Sequence, residues 1–115
     1  MSMNVYEEAH RLAQAVRESE EYKQYDSLKK TVESNPELDK MIKDFETKQI
    51  QMQAKQMAGE PVEGMAQAIQ ELYQIIAKDP TAAAYMSAQM RFSIMMSDVY
   101  KILADVMGIG NPAQI

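Results

Sequence analysis

Residues 79–107, DPTAAAYMSAQMRFSIMMSDVYKILADVM, decide the fold, because they read as one long helix whose apolar faces dictate what the rest of the chain must supply. Asp79 can accept hydrogen bonds from the free amide groups of a first turn. Pro80 suits the first helical position, where a missing N–H costs nothing, and Gly108 stops the helix. Between these ends Tyr85, Ala88, Phe92, Met95, Val99, Ile102 and Val106 alternate steps of three and four, which places them in one coiled-coil-like seam that must be covered. Ala83, Met86, Met90 and Ile94 form a shorter strip on the opposite side, so the N-terminal half of this helix needs two neighbours.

The segment before it supplies one. Residues 61–78 carry Val62, Met65, Ile69, Leu72 and Ile76 along a single helical face, and the tight corner Lys78-Asp79-Pro80 returns the chain into the long helix. Upstream, Ser34-Asn35-Pro36-Glu37 combines a polar cap, a first-turn proline and an acidic residue at the positive end of the helix dipole, so a helix begins at Pro36 and runs to about Ala58. Ala58-Gly59-Glu60-Pro61 ends it, with glycine free to take the left-handed cap conformation. So short a turn makes the flanking helices antiparallel neighbours. On the helix from Pro36, Leu38, Met41, Ile42, Phe45 and Met52 share one face, while Ile50, Ala54 and Met57 share another, among Gln49, Gln51, Gln53 and Gln56. An uncharged, bondable flank beside apolar residues suits a protein interface.

At the N-terminus, Asn4 and Glu7 form a capping-box pattern ahead of Val5, Ala9, Leu12 and Val16, which give a one-faced helix to about Glu18. Ser19 interrupts, and Tyr22, Tyr25, Leu28 and Val32 continue an apolar stripe, so residues 4–33 read either as two helices or as one bent helix. No stretch alternates with period two for the length of a strand. The fold class is therefore all-α: elongated antiparallel helical hairpins or a bundle with a long C-terminal helix, completed by oligomerisation, with residues 1–107 as a single domain and 108–115 as a frayed tail.

Composition excludes more than it proposes. A net charge of −5 argues against direct binding of a phosphate backbone, which requires clustered Lys and Arg. No cysteine is present, which removes disulfides, Cys-ligated metal and thiol catalysis, and the single histidine, His10, reads as a surface residue on the first helix. The adjacent acids Glu7-Glu8 and Glu20-Glu21 point about 100° apart on a helix and belong to helix N-termini rather than to an acid–base pair. Ser87, Ser93 and Ser97 have no base nearby in sequence, and the glycines form no phosphate-cradling loop. No apolar run reaches the roughly 18 to 20 residues a membrane span needs, and the N-terminus is too polar for a secretory signal, so the expected compartment is the cytoplasm. Eleven methionines against two phenylalanines and no tryptophan give a soft, adaptable apolar surface.

Several of these segments together resemble a known family. Ser19-Glu20-Glu21-Tyr22, Asn35-Pro36-Glu37, Phe45 and above all the run from Gln49 to Glu60, QIQMQAKQMAGE, are similar to the YlbF/YmcA/YheA family of small helical bacterial proteins, over residues 5–103 and closest to the YheA branch. The resemblance implies an all-helical, self-associating cytoplasmic protein without enzymatic activity. Some members of that family act with partner proteins in a complex that promotes ribonuclease-dependent mRNA maturation and thereby influences competence, sporulation and biofilm formation. That complex is associated with iron–sulfur clusters held through cysteines, and this chain has no cysteine to contribute.

The expectations are then specific. There is no catalytic, cofactor-binding or metal-binding residue. Met86, Met90 and Ile94, with Ile50 and Met57, are the protein-interface residues, and Gly59, Pro36, Asp79 and Pro80 form structural turns. Phe92 enters a core against the preceding hairpin. A homodimer or higher homo-oligomer, with protein partners but neither nucleic acid nor membrane, completes the picture of an adaptor. A chaperone-like holdase using the Met-rich faces is the alternative.

Overall fold

The structure is a computed structural model and describes residues 4–108. The fold is all-α, with five helices: α1 (Val5–Glu18), α2 (Glu20–Glu33), α3 (Pro36–Met57), α4 (Glu63–Ala77) and α5 (Pro80–Met107). The expected tail lies, beyond Gly108, outside the described residues, as do the first three residues.

Local capping chemistry accounts for nearly every helix boundary. Asn4 Oδ1 accepts the Tyr6 and Glu7 amides at 2.9 and 3.2 Å, Asn35 Oδ1 accepts the Leu38 amide at 3.3 Å, and Asp79 Oδ1 accepts the Ala82 amide at 3.0 Å. Between α1 and α2 the chain breaks at Ser19, whose backbone is extended at φ −69°, ψ 149°. Its hydroxyl donates to the Val16 carbonyl at 2.6 Å and accepts the Tyr22 amide at 3.1 Å, closing one helix and opening the next. Residues 4–33 thus form two helices, the alternative that periodicity alone left open.

Gly59 (φ +75°) terminates α3: its amide donates to the Gln56 carbonyl at 3.1 Å and the Glu60 amide to the Lys55 carbonyl at 2.9 Å, the paired bonds of a Schellman motif. The following helix begins at Glu63, two residues later than Pro61, where the sequence places it. Glu60 precedes a proline and is held out of the helical region, and the first carbonyl to accept a helical bond is that of Val62, from Ala66 at 2.8 Å.

By its contacts the chain divides into two compact units, residues 28–86 and residues 1–27 with 87–115. In the first, α3 and α4 pack along each other as the expected antiparallel hairpin. Val32, Leu38, Ile42, Phe45, Ile69, Ile76, Ala82 and Tyr85 are buried, and the Phe45 and Tyr73 rings meet at 5.9 Å. In the second, Phe92 of α5 stacks on Tyr25 at 5.2 Å with rings 7° from parallel and meets Tyr22, tilted, at 5.6 Å. Arg91 ties the same pair of helices through Gln24 at 3.0 Å. The ring partners of Phe92 are therefore on α2, which corrects its assignment to the α4 face: an aromatic pair outcompetes the aliphatic face that spacing alone suggested.

Candidate protein interface

The seam on α5 loses its cover toward the C-terminus. Tyr85 and Ala88 are buried, Phe92, Met95 and Val99 half-buried, but Ile102 is 70% and Val106 86% exposed. Beside the seam runs a second line, Met96, Tyr100, Leu103 and Met107, again at steps of four, three and four. Together the two lines make the end of α5 apolar through an arc of roughly 160°. No single partner helix covers so wide an arc, so both edges of it meet solvent.

α1 faces part of this arc. It has no fully buried residue, and its stripe of Ala9, Leu12, Ala13 and Val16 lies across from Met96, Val99, Tyr100 and Leu103, leaving an open apolar groove of about 480 Å³ completed by Arg17 and Tyr22. Arg17 is the charged group in that lining. Its Nε and Nη2 both donate to Gln14 Oε1, at 3.3 and 3.2 Å, so its bonds go to a neutral acceptor on its own helix. Asp98 and Asp105 lie on α5 at i−4 and i+3 from Ile102, exposed and without an ion pair.

The five residues expected at an interface fall into two groups. Met90 and Ile94, one turn apart on α5, are 65% and 56% exposed, with Met86 half-buried a turn before them. Ile50 and Met57, two turns apart on α3, are 69% and 83% exposed among the glutamines. Of the four turn residues, Pro36, Asp79 and Pro80 stand at helix starts and Gly59 at the α3 end. The groove itself was not singled out in the sequence. The spacing of Met96, Tyr100, Leu103 and Met107 could have found it, but attention to one seam hides a second that abuts it.

Elsewhere the polar chemistry is that of a solvated helix surface. Lys43 donates to Asp39 at 2.9 Å and Lys48 to Asp44 at 2.7 Å, and the hydrogen bond accepted by Asp39, with its charge, holds the exposed Lys43 ammonium above the ordinary lysine range. Among the described residues no group of three His, Asp or Glu side chains is placed to hold a metal ion, and no helix is long and apolar enough to cross a membrane.

Comparison with known proteins gives one consistent result. Residues 5–107 match the family described as "Control of competence regulator ComK, YlbF/YmcA". A UPF0342 protein of Caldicellulosiruptor bescii is 39% identical over 103 residues, covering 89% of this chain and 87% of its own length. A UPF0342 protein of Symbiobacterium thermophilum is 31% identical, covering 94% and 97%. A solved structure described as "Protein of Unknown Function (DUF964) from Bacillus stearothermophilus" shares the fold with a TM-score of 0.76 over 90% of this chain and 91% of that one, at 21% identity.

Proposed function

The chain belongs to the YlbF/YmcA family of competence-regulator control, and from that premise we propose that it is a non-enzymatic helical adaptor: a cytoplasmic, self-associating protein whose exposed apolar helix faces bind other proteins in a regulatory assembly. Within the family, the glutamine-rich end of α3 favours a place close to the YheA branch. The observation that carries the reading is the accumulation of bare apolar side chains on α5, from Met90 and Ile94 to Val106 and Met107, on a helix whose other residues offer binding surface and no reactive constellation.

The adaptor role predicts that a tagged copy recovers one or a few stoichiometric proteins from native lysate. Met90→Glu or Ile94→Lys, at exposed positions, should lose one of them with helical circular dichroism unchanged. A broad smear of unfolded clients would overturn the adaptor in favour of a holdase that uses the methionines indiscriminately. A strip variant with undiminished partner recovery would remove Met86, Met90 and Ile94 from the contact.

A further inference from the structure

We propose that α1 is a detachable strap: it releases from α5 at Ser19 while the rest of the chain stays folded, and so gates the face of α5 that carries Met96, Val99 and Leu103. The use of that face rests on the interaction role proposed above. The release itself does not.

α1 is held more weakly than its neighbour α2. None of its residues is buried, and Val5, Tyr6 and Leu12 are 76%, 79% and 37% exposed. Among the described residues, every side-chain hydrogen bond and ion pair of α1 closes within α1: Gln14 with Glu18, Arg17 with Gln14, Arg11 with Glu8. Its hold on α5 is therefore apolar, and the open groove of about 480 Å³ between the two helices deprives those side chains of much of the contact a closed core gives. The start of α2, by contrast, is tied to α5 by Tyr22 and Tyr25 against Phe92 and by Arg91 to Gln24. A segment with no buried side chain and exposed backbone bonds lies at the low end of a molecule's range of local stability and opens by itself.

Ser19 confines the opening. Its hydroxyl accepts the Tyr22 amide at 3.1 Å, a cap that belongs to α2 and needs nothing from α1. A helix of 14 residues is at the lower limit of what persists alone in water, so α1 loses its helix as it leaves α5. What it bares is a face already matched to an amphipathic helix, since Ala9, Leu12, Ala13 and Val16 meet it at positions i, i+3, i+4 and i+7. A partner helix with such a stripe takes the place of α1 and binds only the open fraction, so its apparent affinity falls by that fraction.

Amide hydrogen exchange on the full chain tests the release. Amides of α1 should exchange about a hundredfold or more faster than those of α2 and α3, at a rate independent of protein concentration. Ala13→Leu, which fills the groove, should slow α1 exchange about fivefold or more, and Leu12→Ala should speed it by a similar factor, with α3 and α4 unchanged in both. The chain has no cysteine, so Val99→Cys places a single thiol under the strap; its labelling by a bulky maleimide should slow with Ala13→Leu and quicken with Leu12→Ala, while an exposed Ser97→Cys thiol ignores both. Protection of α1 equal to that of α2 overturns the strap, as does α1 protection that rises with protein concentration, which would mean that a second copy covers the helix. Val99→Cys labelling indifferent to both α1 variants overturns the gating. If α1 stays protected while a tagged copy still recovers a stoichiometric partner, the strap falls and the interaction role stands.

Discussion

At the scale of single residues, cap chemistry fixes where the helices stop. Gly59 holds φ at +75°, a conformation costly for any residue with a Cβ, and it closes the Schellman bonds of α3. Gly59→Val is expected to destabilise the protein by more than about 1 kcal/mol. Gly64, in the first turn of α4 with helical backbone and nothing within 4 Å of an added Cβ, gives the opposite sign: Gly64→Ala should stabilise by about 0.5 kcal/mol. Urea midpoints read both, and equal shifts in the same direction would contradict the assignment of the two backbones. Asn35, Asp79 and Gly59 were legible in the sequence because a cap is local, needing only one side chain or one φ angle. The start of α4 was not, since Val62 caps with its carbonyl alone and no side chain announces it.

At the scale of elements, packing partners are where periodicity gives out. The seam along α5 was readable as a face, but which helix covers it depends on where the chain breaks upstream. The Ser19 break sets the start of α2, and with it the position of Tyr22 and Tyr25. Phe92 then lies against two rings, and each aromatic pair contributes about 0.5–1.5 kcal/mol beyond its buried area. Phe92→Leu should therefore cost about 1 kcal/mol, while Phe92→Glu, which sets a carboxylate against two aromatic faces, should cost about 3 kcal/mol. The check is a double-mutant cycle with Tyr25→Leu, monitored by urea unfolding. Strict additivity of Phe92→Leu and Tyr25→Leu would mean that the stacked rings contribute nothing as a pair. The groove escaped sequence reading for a related reason: a helix apolar through roughly 160° contains two valid seams, and only the placement of α1 shows which one is open.

At the scale of the whole molecule, the distribution of buried side chains governs what stabilises it. Of the nine buried hydrophobic residues described, Ala88 is the one that falls outside residues 28–86. The unit built from α1, the start of α2 and the rest of α5 instead holds Val5, Leu12, Tyr100, Ile102, Leu103, Val106 and Met107 in the open. No cysteine and one histidine offer little from which a metal site could make up the deficit, so chelator should leave the melting temperature unchanged, and a large drop would reveal a ligand set outside the usual Cys and His pattern. The self-association proposed above is a further source of stability open to such a unit. Whatever binds the folded state and not the unfolded one stabilises it by mass action, so a self-contact on this unit makes the melting temperature climb with protein concentration. A hundredfold rise in concentration, well above the dissociation constant, is worth about 2.7 kcal/mol per mole of dimer, a shift of several degrees for a chain of this size. Wild type is therefore expected to melt higher as concentration increases. Calorimetry at several concentrations reads the effect directly: a wild-type melting temperature that does not move would mean that the proposed self-association contributes nothing to stability.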